Sequence, residues 1–172
     1  GPLIGRPKSA TYRTSDVVGL DTLSLTIKTM ADSLPGDPWH AYFKTPEFMQ
    51  TLIDNKVLGQ KTGAGIFKKV GKEIQVLDIA TKSYRTSAAV VAPEVLAILK
   101  DKNPKTKFSA LRASEHPQAQ FLWACFRDLF HYCAFHLADI AASARELDFA
   151  IRWGYGWSMG PLELWQAADW KQ

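Results

Sequence analysis

Between positions 17 and 30 the apolar residues Val17, Leu20, Leu23, Ile27 and Met30 recur every three or four positions, the spacing of one helix face. Thr14 or Ser15 is placed to cap that helix and Asp16 suits the positive end of its dipole. The pattern ends near 31–33, ahead of the breakers Pro35-Gly36-Asp37-Pro38. Thr45-Pro46-Glu47 starts a second helix, with Thr45 as cap and Pro46 in the first helical position. Phe48, Met49, Leu52 and Ile53 point inward from it, and it stops near Asn55. After a glycine-rich loop at 59–65 the period changes. Residues 66–69 and 73–77 read as a short hairpin about Val70-Gly71-Lys72, and 81–92 as chain extended over the surface.

Helical spacing then returns. Residues 93–100 and 108–113 predict two short helices split by Asn103-Pro104, and Pro117 opens the longest helix, to about Ala142. Its inward stripe is expected to comprise Phe121, Leu122, Cys125, Leu129, Cys133, His136, Leu137 and Ile140. Ser143 caps a helix over 145–153, and the turn 154–160 leads into a last helix from Pro161. The whole pattern predicts a mainly α chain with one small β-hairpin.

The 172 residues suffice for one domain or two small helical subdomains, and 47% hydrophobic content supports a packed core. The net charge of +4 is mild. Its densest runs, Lys68-Lys69 and Lys100 to Lys107, read as solvated loops rather than a nucleic-acid footprint. Cys125 and Cys133 lie about 12 Å apart along one helix, too far for a disulfide with each other, and so read as reduced thiols of a cytoplasmic protein. No apolar run is long enough to span a membrane, and no signal peptide is visible. His131 and His136 fall on different helix faces with no third ligand nearby, so no metal site is expected. No serine or cysteine sits in a nucleophile-elbow setting.

A further signal is a segment that occurs twice in related form. Gly1-Pro2-Leu3-Ile4-Gly5-Arg6-Pro7-Lys8 with Asp16 and Gly19-Leu20-Asp21-Thr22 near the front is echoed by Trp153-Gly154-Tyr155-Gly156-Trp157 with Met159-Gly160-Pro161-Leu162-Glu163-Leu164 near the end. Both copies, together with Leu58-Gly59-Gln60-Lys61-Thr62-Gly63-Ala64-Gly65-Ile66-Phe67 and Leu147-Asp148-Phe149-Ala150-Ile151-Arg152, resemble the helical C-terminal domain region of bacterial 3-hydroxyacyl-CoA dehydrogenases of the fatty-acid oxidation multifunctional type. Two departures stand out. About five extra residues precede Asp16 in the first copy, and Gln166 stands where the family often has Asp.

The resemblance implies two packed helical repeats of the 6-phosphogluconate-dehydrogenase C-terminal-like type. The first covers 1–80, truncated at its start and ending in the hairpin, 81–116 is a linker with short helices, and 117–172 is the second repeat. It implies that the parent protein oxidises 3-hydroxyacyl-CoA to 3-oxoacyl-CoA in fatty-acid β-oxidation, using NAD held by an N-terminal Rossmann domain. A hydratase domain and a homodimer are further expected partners. The catalytic and NAD-binding residues of the family have no counterpart in this sequence. The chain is therefore expected to be an inactive piece of a longer protein that binds no cofactor by itself. Arg6, Lys8 and Lys61 are the candidate substrate-binding residues, because cations there could meet a CoA phosphate. Pairing with local carboxylates or exposure to water is the competing reading for all three. The alternative for the whole chain is a non-catalytic dimerisation or docking module, which its many tryptophans would suit.

Overall fold

Gly19 divides the first helical pattern. Its φ of 102° lies outside any helix, so α1 (Ala10–Val18) ends there and α2 (Leu20–Ser33) begins in a new direction, with the Leu20 N–H donating to the Leu58 carbonyl at 3.0 Å. The helix start expected at Thr14 or Ser15 is thereby corrected. Both hydroxyls lie inside α1 and donate backwards, Thr14 to the Ala10 carbonyl and Ser15 to the Thr11 carbonyl. Helix α3 (Glu47–Asp54) starts one residue later than expected, because Pro46 holds the cap position and the Thr45 hydroxyl is bonded to that of Ser24 at 2.8 Å.

The computed structural model describes residues 1–87 and 90–169. Positions 88 and 89 of the expected extended stretch, and 170–172 of the expected second repeat, lie outside the described residues. The chain forms two compact units, Ser9–Ala89 and Gly1–Lys8 with Val90–Gln172.

In the unit Ser9–Ala89 the expected hairpin gains a third strand. β1 (Phe67–Val70), β2 (Glu73–Asp78) and β3 (Ser83–Thr86) form an antiparallel sheet in that order, with Phe67 opposite Val76 and Leu77 opposite Tyr84. β3 falls within the stretch read as surface chain. Three side-chain contacts pin it to the sheet and its surroundings: the Tyr84 hydroxyl donates to the Gly65 carbonyl, Arg85 pairs with Asp78 at 2.8 Å, and Thr86 donates to Glu73. Leu20, Met49, Leu52 and Ile66 form this unit's core.

The second unit contains α4 (Pro93–Lys100), α5 (Pro104–Ala113), α6 (Pro117–Ile140), α7 (Ala144–Tyr155) and α8 (Pro161–Ala167). Four of these five helices begin with proline, whose missing N–H costs nothing in a first turn. Asn103 caps α5 by accepting the Lys105 N–H at 3.0 Å, so Asn103-Pro104 starts a helix instead of merely separating two. Ser143 caps α7 as expected.

The core packs Phe108 edge-on to Phe126 at 4.9 Å and stacks Phe130 with Trp165 at 5.8 Å. The buried face of α6 is therefore Ala119, Phe126, Phe130 and Cys133; of the expected stripe only Cys133 is fully buried, and Phe121 and Ile140 are 67% and 65% exposed. Residues 1–8, grouped by sequence with the first repeat, lie in this second unit. Their short 3₁₀ turn Pro2–Ile4 packs Ile4 against its core, and the Ser158 N–H donates to the Gly5 carbonyl at 2.9 Å.

Candidate functional site

The two related turns of the sequence meet in the second unit. Gly5 and Gly156 each adopt the left-handed conformation, with φ of 73° and 65°. A side chain at Gly5 would lie 2.4 Å from the Ser158 hydroxyl, and one at Gly156 would lie 3.5 Å from Pro7. Between them the Arg6 guanidinium stacks 4.3 Å from the Trp157 ring centre. Gly5-Arg6-Pro7 and Gly156-Trp157-Ser158 thus touch reciprocally, first residue to third and second to second, as around a local two-fold axis. The Ser158 N–H reaches Gly5 across this contact, whereas Pro7 in the equivalent position carries no N–H to return the bond.

Arg6 is half-buried, with Phe126 5.9 Å from its guanidinium as well as Trp157. Its Nε is buried with no hydrogen-bond partner among the described residues. Burial lowers the Arg6 pKa, with the nearby Cys125 acting in the opposite sense. Burial likewise raises the Cys125 thiol, against the pull of Arg6. Lys8 is exposed beyond this turn. Lys61 belongs to the other unit, where its Nζ grips both Asp21 oxygens at 2.6 and 2.7 Å and holds that carboxyl below the usual aspartate range. Arg6 and Lys8 therefore share one turn of this unit, and Lys61 already has a carboxylate partner.

The loop 59–65 does not fit a dinucleotide phosphate. Such a cradle needs free backbone N–H groups between a strand and a helix. Here the N–H groups of Gly59, Thr62, Gly63 and Gly65 donate to carbonyls of Ala64, Gly59, Gln60 and Phe67, and the next two N–H groups donate to Asp16.

Two aspartates hold the glycine turns of both repeats, a role the sequence reading did not assign. Asp16, on α1, accepts the Ile66 and Phe67 N–H groups at 2.8 and 2.7 Å. Asp148, on α7, accepts those of Leu162 and Glu163, each at 2.8 Å. Each carboxylate is pressed by a glycine, Gly65 or Gly160, at which a Cβ would fall 2.1 or 2.3 Å from an aspartate oxygen. The available signal was a carboxylate beside an apolar position in a helical pattern, as in Leu147-Asp148. Burial raises both carboxyls despite their two N–H bonds.

Of the aromatics in and after the second turn, Trp165 packs into the core, Trp157 is taken by Arg6, and Tyr155 is 65% exposed. Beside the crossed turns lies a cleft of about 370 Å³ bordered by Leu3, Gly5, Leu99, Lys107, Phe126 and Trp157. The other unit has a more apolar groove of about 600 Å³ between α3 and the sheet, with Phe48, Leu52, Leu77 and Tyr84 among its walls. Among the described residues no three of His, Cys, Asp and Glu gather as a metal site, and no helix is long and apolar enough to cross a membrane.

The family model for the 3-hydroxyacyl-CoA dehydrogenase C-terminal domain matches residues 3–69. All 172 residues align at 40% identity with a Bacillus subtilis protein named "Probable 3-hydroxyacyl-CoA dehydrogenase". Residues 3–69 of the chain belong to the C-terminal domain family of the 3-hydroxyacyl-CoA dehydrogenases. A Deinococcus radiodurans protein of the same name is 36% identical over 73 residues, which are 42% of this chain and 20% of that protein. A Rickettsia felis protein bearing the name of a fatty acid oxidation complex trifunctional enzyme is 22% identical over 94% of the chain. The chain spans 22% of the length of the Bacillus and Rickettsia relatives. No solved structure matches it. Membership of this dehydrogenase family agrees with the mainly helical architecture and its one small antiparallel sheet.

Proposed function

We propose that this chain is the substrate-pocket and assembly region of an NAD-dependent 3-hydroxyacyl-CoA dehydrogenase acting in fatty-acid β-oxidation. The full-length protein converts a 3-hydroxyacyl-CoA to the 3-oxoacyl-CoA, and the hydride leaves to NAD held on a Rossmann domain outside this chain. The 172 residues alone bind no NAD and turn over no substrate. The observation that carries this reading is the alignment of the whole chain, at 40% identity, with a relative of that name. The loop 59–65, with the N–H groups of Gly59, Thr62, Gly63 and Gly65 spent internally, supports a cofactor site located elsewhere.

On this reading Arg6 is the substrate-facing cation best supported by geometry, since its buried Nε lacks a protein partner. Lys8 extends from the same turn into solvent and follows it. Lys61 is the weakest of the three, because Asp21 already neutralises it. The docking-module alternative is favoured by one observation. Trp153 is 78% exposed and stacked on Phe149 at 4.8 Å, an aromatic pair offered to water of the kind interfaces use.

Steady-state kinetics of the full-length enzyme separate the two readings. R6M and K8M raise KM for 3-hydroxyacyl-CoA if these cations meet the thioester's phosphates. Unchanged kcat and KM in both variants overturn that role and favour the docking module. Calorimetric titration of the 172-residue chain with NAD is expected to give no binding heat, and saturable uptake would overturn the assignment of the cofactor to another domain.

A further inference from the structure

We propose that His116 is a proton-operated latch on the chain segment that enters the second unit. It stands at the cap position of α6, and its Nδ1 accepts the Gln118 N–H at 3.1 Å. That bond requires a bare Nδ1, so the neutral ring carries its hydrogen on Nε2. Nε2 faces the carboxylate of Glu94, in the first turn of α4, at 3.6 Å. The separation is too long for a hydrogen bond but within reach of an ion pair once the ring is charged. His116 thus has one partner for each protonation state. A proton on Nδ1 turns the acceptor into a donor and sets two N–H groups against each other. It also places positive charge at the positive end of the α6 dipole, and the ring is drawn to Glu94 instead. Glu94 is the charged side chain recorded against His116 among the described residues; Glu115 precedes it in the chain, and Arg112 lies in the last turn of α5.

The consequence passes through Gln118. Both ends of its side-chain amide hold the backbone ahead of α4. Oε1 accepts the Ala92 N–H at 2.9 Å, and Nε2 donates to the Val90 carbonyl at 3.0 Å. At Val90 the chain passes from the unit Ser9–Ala89 into the second unit. Neutral His116 fixes the first turn of α6, and Gln118 grips this entry segment. Charged His116 frees that turn and loosens the grip. Loss of the cap and gain of the ion pair oppose each other in overall stability, so the switch is read locally. Helix α5 supplies a comparison, because Asn103 holds the Lys105 N–H at 3.0 Å through a side chain that takes up no proton. The inference uses no part of the dehydrogenase assignment.

Amide hydrogen exchange of the 172-residue chain, corrected for the intrinsic pH dependence of exchange, tests the latch between about pH 8 and pH 5, where imidazole takes up its proton. Acidification is expected to lower protection of the Gln118 and Ala92 N–H groups about fivefold, the size of one lost cap, and to leave Lys105 unchanged. H116N keeps a capping acceptor that does not titrate and is expected to hold protection constant over the same range. An equal loss in H116N, a loss shared by Lys105, or no change in the wild-type chain would each overturn the proposal. Nitrogen-15 shifts of the wild-type imidazole provide a check that needs no variant. At about pH 8 Nδ1 is expected to be the bare nitrogen, and a hydrogen found there would overturn the proposal as well.

Discussion

Replacing Asp148 offers the sharpest test of how this fold is held. Gly160 sits at the cap position of α8 and has no side chain to accept the first N–H groups of the helix. The Glu163 carboxylate returns to the Gly160 N–H at 3.1 Å, which is half of a capping box. Asp148 supplies the missing half from α7 by accepting the Leu162 and Glu163 N–H groups. D148A strands both donors. Hydrogen bonds to a charged group contribute about 1.5–3 kcal/mol each, and the cost of burying the carboxylate offsets part of that. The expected loss is about 2–4 kcal/mol, or roughly 5–15 °C in Tm for a chain of this size. D148N keeps one acceptor and is expected to lose about half as much.

Urea denaturation of the 172-residue chain, followed by tryptophan fluorescence, reads the effect because Trp165 lies on α8 and stacks on Phe130. The pH dependence adds a second readout. Burial raises the folded Asp148 carboxyl above its ordinary value. The folded chain therefore holds this proton more tightly than the unfolded chain does. The resulting stability is complete below the ordinary aspartate pKa of about 3.9 and is lost as pH rises through the raised folded value. The gap between wild type and D148N is thus expected to narrow as pH rises from acid towards neutrality. D148A as stable as D148N would refute the two-bond reading, and a gap that does not narrow as pH rises would deny that burial raises the folded carboxyl.

The remaining predictions concern other residues. G65A places a Cβ 2.1 Å from the Asp16 carboxylate, whereas G71A meets open space at a φ of 60°. Denaturation should show a loss of about 3 kcal/mol or more for the first and about 1 kcal/mol for the second. Lys61 is the main cause of the lowered Asp21 carboxyl, so K61M should raise the Asp21 pKa in a carbon-13 titration; an unmoved midpoint would deny the pair any electrostatic effect. Burial pushes the Cys133 thiol up to about 11, with Asp148 adding to the rise. At pH 8 only about a thousandth is thiolate, so iodoacetamide should label Cys133 rapidly only after unfolding. R6M removes a guanidinium with no carboxylate partner recorded and should change the chain's own stability by less than about 1 kcal/mol, whereas a larger loss would make Arg6 a structural residue.

Local rules carried much of the architecture. Ser143 and the prolines at 93, 117 and 161 mark helix starts because capping involves atoms only a few residues apart, which a sequence displays directly, whereas Asn103-Pro104 reads as a break and proves to start a helix too. The glycine turns and the family they indicate were legible for the same reason. Arg6, Lys8 and Lys61 were legible as cations, but not as one stacked on an indole, one in solvent and one in a carboxylate's grip.

What the sequence left open was decided by contacts between distant residues. Helix α6 carries large apolar residues on more than one face, with Phe121, Phe135 and Ile140 exposed and Phe126 and Phe130 buried, so periodicity could not choose its buried face. The choice fell to Phe108 and Trp165, which arrive from α5 and α8. Asp16 resembled a first-turn residue until its partners, 50 and 51 positions away, were in place. Residues 1–8 joined the unit of 90–172 because the Gly5 and Gly156 turns fit one another, a complementarity of shape that no local pattern encodes.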